Sequence, residues 1–305
     1  MFPIIPANSA AAPSGNDEGI FGFGHTGSTY TAISNLVSNT GVVASDTAGV
    51  GSVRNDLAAC EFGGDQGIFG FGYTLSPVAP AGMTNLVSNT GVVASDTVAV
   101  GTARTDLAAC SFGGDQGIFG FGTTGSNVAT TNLVSNTGVV ASDTAGVGTV
   151  RKSLAACEFG GDQGIFGFGT ISGTEYSLTN LVSNTGVVAS DTAGVGKARV
   201  KAEGCHYDYD KGIFGFGNYF YNTYTAITNL VSTTGVVASD TAGIGTVRNA
   251  LGGCQYGQDK AIFGYGNASG SVTAVTNLVS TTGVVASDTA GVGTARNSTT
   301  ACSFN

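Results

Sequence analysis

The sequence is poor in the residues that most often carry out catalysis, and its charge is biased to one sign. It has no tryptophan, two histidines, and 11 Lys and Arg against 20 Asp and Glu, which gives a net charge of -9. No Ser, Asp or Cys lies at a spacing that predicts a catalytic triad with His25 or His206. The acidic balance would repel a polyphosphate, so nucleic acid is not expected as a partner.

Long apolar segments are also missing. No apolar run approaches the roughly 18 residues that span a bilayer. Met1 to Asp17 (MFPIIPANSAAAPSGND) has neither the basic start nor the long apolar stretch of a signal peptide. Membrane insertion is therefore not expected. Residues 1–17 are predicted to be a Pro-, Ala- and Ser-rich docking tail that becomes ordered only against a neighbouring chain.

The chain is rich in glycine (50 residues) and in Val, Thr, Ala and Phe, as short strands and tight turns require. The motif NLVSNTGVVASDT, with NLVSTTGVVASDT in the last two copies, recurs every 47 to 50 residues. Each copy follows GIFGFG, or AIFGYG in the last copy, and precedes one cysteine. The motifs start at Asn35, Asn85, Asn132, Asn180, Asn229 and Asn277, and the cysteines are Cys60, Cys110, Cys157, Cys205, Cys254 and Cys302.

Each period contains four short strand-like runs that are separated by turn sequences. Examples are LAACSF, GIFGFG, TNLVS and GVVASDT, with GGDQ and NT-Gly as compact hairpin turns. A unit of this size cannot bury its own apolar face, so stacking around an axis is expected to stabilise it. The pattern predicts a six-bladed β-propeller of four-stranded antiparallel blades over residues 18–305.

The order Arg104-TDLAACSF-GGDQ-GIFGFG, then TNLVSN and GVVASDT, resembles the Kelch repeat across nearly the whole chain. Two features depart from the Kelch pattern: the Gly-Gly doublet is Gly-Phe-Gly, and Val92 or Val93 stands near the place of the usual Trp. The chain starts on a second strand and ends on an inner strand, Thr299 to Phe304. That last strand is therefore predicted to pair with residues 19–47 and close the ring.

Three features recur in every copy and are interpreted as scaffold. The cysteines are expected to be buried, unpaired small hydrophobes. Phe pairs such as Phe69 and Phe71 lie two apart, so they are expected to face one side of a strand and pack between blades. An Asp and an Arg eight residues apart are expected to clamp one loop with an ion pair. These pairs are Asp46 and Arg54, Asp96 and Arg104, Asp143 and Arg151, Asp191 and Arg199, Asp240 and Arg248, and Asp288 and Arg296.

The copies differ in the loops between the second and third strands and in the residues that open each inner strand. Both patches are predicted to lie on one face, which is typical of a binding surface on a constant scaffold. Tyr219 to Tyr224 hold the densest aromatic cluster, which suits carbohydrate or a protein epitope. The candidate binding residues are His25, Tyr30, Tyr73, Lys152, Glu175, Tyr176, Lys201, Tyr219, Phe220, Tyr221 and Tyr224.

Near-identical Kelch-like units in an acidic chain without Trp, and the opening MFPIIPANSA, resemble structural proteins of marine phages and other aquatic viruses. The resemblance implies a non-enzymatic virion protein without a cofactor, assembled in the host cytoplasm. Its tail or constant face would bind other virion subunits, and its variable face a host glycan or protein. A decoration subunit and an intracellular Kelch-type interaction module are the alternatives. A glycosidase acid pair drawn from Glu175, Glu203 and Asp208 is a further, less favoured possibility.

Overall fold

The computed structural model describes residues 17–98, 100–220 and 223–304, and this part of the chain is all-β without a helix. Strands are numbered along the chain. Six main sheets, sheets 1 to 6, are each built on three antiparallel strands in the spatial order first, second, third, and sheet 2 has a fourth strand. The predicted tail, residues 1–17, falls outside the described residues except for Asp17.

The strands of the main sheets occupy corresponding places in each copy, and β1 and β2 of sheet 1 are longer than their equivalents. The first strands, given from sheet 1 to sheet 6, are β28 (Thr300–Phe304), β4 (Ala58–Phe62), β10 (Ala108–Phe112), β13 (Ala155–Phe159), β18 (Glu203–Tyr207) and β23 (Gly252–Tyr256). The second strands are β1 (Glu18–His25), β5 (Gln66–Gly70), β11 (Gln116–Gly120), β14 (Gln163–Gly167), β19 (Lys211–Gly215) and β24 (Lys260–Gly264). The third strands are β2 (Tyr30–Val37), β8 (Met83–Val87), β12 (Thr131–Val134), β17 (Thr179–Val182), β22 (Thr228–Val231) and β27 (Thr276–Val279).

Ten short strands lie outside this pattern, most of them in the loops that differ between copies. They are β3 (Arg54–Asn55), β6 (Tyr73–Leu75), β7 (Val78–Pro80), β9 (Thr97–Val98), β15 (Thr170–Ile171), β16 (Thr174–Glu175), β20 (Asn218–Tyr219), β21 (Thr223–Tyr224), β25 (Asn267–Ala268) and β26 (Ser271–Val272). Four of the variable loops therefore form small hairpins: β6–β7, β15–β16, β20–β21 and β25–β26.

The predicted fourth strand is a regular strand only in sheet 2, where β9 pairs with β8. In the other sheets the GVVASDT segment touches the third strand through isolated bridges, such as Ser34 with Thr47 and Val37 with Val43. The ladder is interrupted because a side-chain amide, Asn35 Nδ2, donates to the carbonyl of Ala44 at 3.0 Å. The expectation of four full strands is therefore wrong for this segment.

The two ends of the described chain meet in sheet 1, as the sequence predicts. β28 pairs antiparallel with β1, with Glu18 opposite Phe304 and Ile20 opposite Cys302. The equivalent strands of sheet 2, β4 and β5, pair in the same register as β28 and β1, with Gln66 opposite Phe62. The termini therefore meet where sheet 2 has its Gly63–Gly64–Asp65 turn.

The apolar core is divided among the gaps between neighbouring sheets. Six clusters of buried residues lie between sheets 1 and 2, 2 and 3, 3 and 4, 4 and 5, 5 and 6, and 6 and 1. The first strands contact one another in the same cyclic order, and β28 contacts both β23 and β4. Each sheet therefore buries both of its faces against neighbours, which is how such small units gain stability.

Aromatic pairs cross every one of these gaps, but the expectation that the two rings of a repeat face the same side is wrong. Phe69 lies in the core shared with sheet 1, whereas Phe71 lies in the core shared with sheet 3. Phe71 follows β5 with a left-handed φ of 64°, which turns its ring to the opposite side. There it meets Phe119 edge to face, with 5.2 Å between ring centroids. Each such pair adds about 0.5–1.5 kcal/mol beyond its buried area.

Candidate binding surface and central cavity

Each conserved arginine of the repeat is fully buried at the start of a first strand. Arg54 donates from Nε to the carbonyl of Phe71 at 2.9 Å, and its guanidinium lies 4.3 Å from the ring centroid of Phe23 in the preceding sheet. Its Nη2 donates to Oδ1 of Asn85, whose Nδ2 donates to Asp96 at 2.9 Å. A single side chain thus joins the strands of its own sheet and stacks on the neighbouring sheet.

The aspartate beside each arginine is not the one eight residues earlier in the sequence. Nη1 of Arg54, Arg104 and Arg151 lies 3.5, 3.9 and 3.7 Å from Oδ1 of Asp96, Asp143 and Asp191. Arg199, Arg248 and Arg296 interact electrostatically with Asp240, Asp288 and Asp46. The predicted pairing was wrong because the loop before each arginine carries the chain to the next sheet, where the arginine meets that sheet's own aspartate.

Burial and hydrogen bonding act in opposite directions on these groups. Burial lowers the pKa of Arg151 to about 10, although the charge of Asp191 opposes the shift. Partial burial would raise the pKa of Asp96, but hydrogen bonds from Ser52 and Asn85 and the charge of Arg54 leave it below its ordinary value. Arg151 and Asp96 therefore stay charged at neutral pH, where Arg151 faces Asp191 and Asp96 faces Arg54.

The two variable patches lie at the same end of the sheets, as the sequence predicts. In every sheet a residue that opens the first strand bridges to the beginning of the loop that follows the second strand. The bridges are Asn55 with Tyr73, Thr105 with Thr123, Lys152 with Thr170, Val200 with Asn218, Asn249 with Asn267, and His25 with Asn297. We call this end, with residues 55–56 and their equivalents and the loops 73–83 and their equivalents, the variable end.

The constant turns meet at the other end, which we call the constant end. Gly63 N donates to the carbonyl of Asp115 in the next sheet at 2.8 Å, and Asn136 Nδ2 donates to Asp115 Oδ2 at 3.1 Å. GGDQ-type and NT-Gly turns are therefore joined there. Each first strand runs between the variable end and the constant end.

Five main-chain hydrogen bonds link a ring of six residues, one from each sheet, around the centre of the variable end. Asp106 N donates to Asp56 O at 3.0 Å, and the same contact continues through the following sheets. All members adopt left-handed φ values between 47° and 56°, although none is glycine. The ring members are Asp56, Asp106, Ser153, Lys201, Ala250 and Ser298. The left-handed backbone lets short side chains of different chemistry stand around one opening.

Charged side chains in this ring and beside it interact with one another. Lys152 Nζ lies 3.4 Å from Asp106 Oδ2, and Ser153 Oγ donates to Asp106 Oδ1 at 3.0 Å. Burial and the nearby charge of Asp106 raise the pKa of Asp56, while the charges of Lys201 and Lys152 act against the rise. Lys152 and Lys201, both predicted binding residues, thus lie together at the opening.

Two aromatic groups stand further out. His25 meets Tyr30 edge to face at 5.5 Å. Burial, and then the charges of Asp56 and Tyr73, raise the pKa of Tyr30, so these side chains form one group across sheets 1 and 2. Glu175 lies in β16 and Tyr176 directly after it, in the hairpin of sheet 4.

The second aromatic group belongs to sheet 5. Lys197 Nζ lies 3.6 Å above the ring centroid of Tyr219, which meets Phe220 edge to face at 6.3 Å. Phe220 is 71% exposed. Tyr224 Oη donates to Asn267 Oδ1 of sheet 6 at 3.3 Å, and the predicted residue Tyr221 lies outside the described residues. Sequence analysis missed Lys197, which stands where the other copies have Ser or Thr.

Two cavities lie between the six first strands and share Glu203 as a lining residue, and we call them together the central cavity. Its lower half, on the side of the constant end, has a volume of about 40 Å³ and is bordered by all six cysteines. Its upper half, under the opening at the variable end, measures about 60 Å³ and has leucine walls, including Leu57 and Leu107. Glu203 lines both halves.

The cysteines are buried and carry free thiols. Burial raises the pKa of Cys60 above its ordinary value, so its thiol is neutral. A Cβ on Gly117 of the next sheet would lie 2.5 Å from the Cys60 sulfur, which explains the glycine that opens GIFGFG. The cysteines therefore add no charge to the lining of this part of the cavity.

The three acids considered for glycosidase chemistry are placed on different elements. Glu175 lies in a hairpin of the variable end, Glu203 in the central cavity, and Asp208 in the turn after β18, where Lys211 Nζ lies 2.6 Å from its Oδ2. The described residues contain no cluster of three His, Cys, Asp or Glu that could hold a metal ion.

Glu203 is predicted to make stability depend on pH. Burial raises its pKa to about 8, from an ordinary value of 4.5. The folded state holds this proton where the unfolded state has lost it, so stability falls as pH rises from about 4.5 to 8. Urea unfolding at pH 5 and pH 8.5 should show a loss of roughly 2–4 kcal/mol in the natural protein that Glu203→Gln removes. Equal pH dependence in both proteins would contradict the assignment.

No protein-family model matches this chain, and no curated protein matches it. Within residues 17–98, 100–220 and 223–304 there is no helix of the length and apolarity that a membrane span needs. The function is therefore inferred from the site alone.

Proposed function

We propose that this chain is a Kelch-like, six-bladed β-propeller without enzymatic activity, which serves as a virion tail-fibre or surface protein. The cyclic order of contacts among the first strands and the core cluster between sheets 6 and 1 support the propeller. In this reading the variable end binds a glycan or protein on the host surface. The constant end and the tail bind other virion subunits.

The observation that carries the binding role is the placement of both variable patches at one end. Repeated backbone bridges hold the loops of that end, while their side chains differ from sheet to sheet. Exposed aromatic rings beside polar groups suit the apolar faces and hydroxyls of a sugar. Tyr219, Phe220 and Lys197 provide such a group in sheet 5.

Replacing the exposed ring of sheet 5 should remove binding without unfolding the protein. Because Phe220 is 71% exposed, Phe220→Ser should change stability by less than about 0.5 kcal/mol. Binding to host cells or to a glycan array should fall at least tenfold. The matched control is Tyr209→Ser, since Tyr209 is 62% exposed in the turn after β18, at the constant end.

Equal binding by both variants and the natural protein would contradict recognition through sheet 5. Absence of the protein from purified particles would contradict the virion role. It would leave the intracellular interaction module as the better interpretation.

A decoration subunit is the second candidate, and one observation favours it. The first valine of every GVVASDT segment is strongly exposed, at 59–64% of its surface. These residues are Val42, Val92, Val139, Val187, Val236 and Val284. A valine exposed at the same place in each sheet suits packing between subunits. Particle assembly that fails when these valines are replaced by Ser, with host binding unaffected, would support this candidate.

A further inference from the structure

Sheets 5 and 6 line one sector of the central cavity, and in this sector their residues differ from those at the same positions of the other copies. At the place of Glu203 the other sheets have Ala58, Ala108, Ala155, Gly252 and Thr300. At the next position sheets 5 and 6 have Gly204 and Gly253, where the remaining sheets have Ala. Sheet 5 therefore adds a long carboxyl side chain, and sheets 5 and 6 each lack a methyl group at the following position.

Gly253 makes room for this carboxyl side chain. A Cβ on Gly253 would lie 3.0 Å from Cγ of Glu203, so the alanine of the other copies would press on it. Within the described part of the chain, Gly204 N donates a hydrogen bond to Oε1 of Glu203 at 3.2 Å. Glu203 thus occupies a space that Gly253 leaves open, and its side chain lines both halves of the cavity.

The rest of the lining favours a cation. The lower half has neutral thiols, His206 and Gln255, and no Lys or Arg among its described lining residues. Lys201 is the cation of the upper half, at its opening. The carboxyl side chains along the cavity are Asp56 and Asp106 at the upper opening, Glu203 inside, and Glu61 and Glu158 at the lower opening.

The shape of the cavity restricts the cation further. The two halves measure about 40 and 60 Å³, enough for a file of waters or a methylene chain. Leu57, Leu107, Leu154 and Leu251 form apolar walls above Glu203. These walls favour alkyl groups over a hydrated metal ion, and the described residues offer no metal-binding cluster.

We propose that the central cavity binds a linear aliphatic ammonium group, such as one end of a short alkyl diamine, at the carboxylate of Glu203. The alkyl chain lies between the leucine walls, and the ammonium donates to the carboxylate oxygens. Glu203 releases its proton to solvent as the ammonium replaces it. This binding is independent of what the outer loops of the variable end recognise.

The test uses 1,5-diaminopentane as the probe in titration calorimetry with the full chain at pH 7. Saturable binding is expected, with proton release that shows as different heats in two buffers of unlike ionisation enthalpy. The affinity for 1,5-diaminopentane should rise from pH 6 to pH 8, because the free-energy cost of deprotonating Glu203 falls as the pH rises. The neutral 1-pentanol should bind at least tenfold more weakly.

Two variants locate the site. Glu203→Gln keeps the size of the side chain and should weaken diamine binding at least tenfold. Glu158→Gln removes a carboxyl at the lower opening and should change the affinity less than threefold. Lack of saturable binding to the natural protein, or equal affinity in Glu203→Gln, would overturn the proposal. If Glu203→Gln does not fold, the natural protein alone provides the test. Diamine binding to it without proton release would then overturn the proposal.

Discussion

Replacing Arg151 by Ala should lower the free energy of unfolding by about 3–5 kcal/mol, the usual cost of breaking a buried ion pair. The change leaves the carbonyl of Phe168 and Oδ1 of Asn180 without their donors, at 2.8 and 2.6 Å in the natural protein. It also removes a guanidinium 4.5 Å from the ring centroid of Phe121 in the neighbouring sheet. Thermal unfolding should shift down by roughly 5–15 °C.

Matched variants distinguish this network from a general effect of removing charge. Arg199 is equally buried, but its Nε and Nη2 have no hydrogen-bond partner in the described part of the chain. Arg199→Ala should therefore cost less than Arg151→Ala. Arg151→Lys should fail to restore stability, because an ammonium cannot provide the planar stacking and forked donors of a guanidinium. A smaller loss in Arg151→Ala than in Arg199→Ala would contradict this account.

Removing residues 297–305 should abolish cooperative folding. β28 supplies five residues of paired backbone to β1 and buries Ala301, Cys302 and Phe304. Each buried apolar side chain contributes on the order of 1.5–3 kcal/mol. The total loss is comparable with the whole stability of about 5–15 kcal/mol that a folded protein has. Near-ultraviolet circular dichroism and thermal unfolding should both lose their native signals.

A peptide supplied separately provides the control. A synthetic peptide of residues 297–305 should restore the unfolding transition in the shortened protein, whereas a scrambled peptide should not. An unchanged melting temperature after the deletion would show that pairing of the termini contributes little.

Repetition made the sheets and turns predictable, because identical residues must satisfy identical positions in every copy. The same repetition leaves open which aspartate pairs with each arginine. Asp46 precedes Arg54 by eight residues and Asp96 follows it by 42, and each copy offers both choices. The observed pair, Arg54 with Asp96, depends on which sheet the connecting loop enters.

The reversed direction of the second aromatic ring had no clear signal in the sequence. In the Gly-Phe-Gly segment of each repeat, a left-handed backbone conformation is expected at a glycine, because a residue with a Cβ atom adopts this conformation only at a cost in free energy. Phe71 has a φ of 64° nonetheless, and Phe23 and Phe121 behave alike. The carbonyl of Phe71 accepts from buried Arg54, and its ring packs on Phe119. These distant contacts determine the local conformation.

The candidate surface is predicted from differences between copies, and both lysines among its residues, Lys152 and Lys201, act on the charge of Asp56. The central cavity was missed, although the sequence held a usable signal. Glu203 interrupts a position of small residues, and the glycines next to it change at the same time. Comparing all copies position by position along the first strand would have identified this sector.

The meeting of the termini in sheet 1 also has a mechanical consequence. Glu18 lies opposite Phe304, so both chain ends leave the β1–β28 pair at the same end. A pulling force applied between them would load the backbone hydrogen bonds one after another, as in opening a zipper, instead of shearing all of them together. When the protein is held at both chain ends, this seam would therefore open first, whereas a load borne by one terminus and the variable end would not act on it in this way.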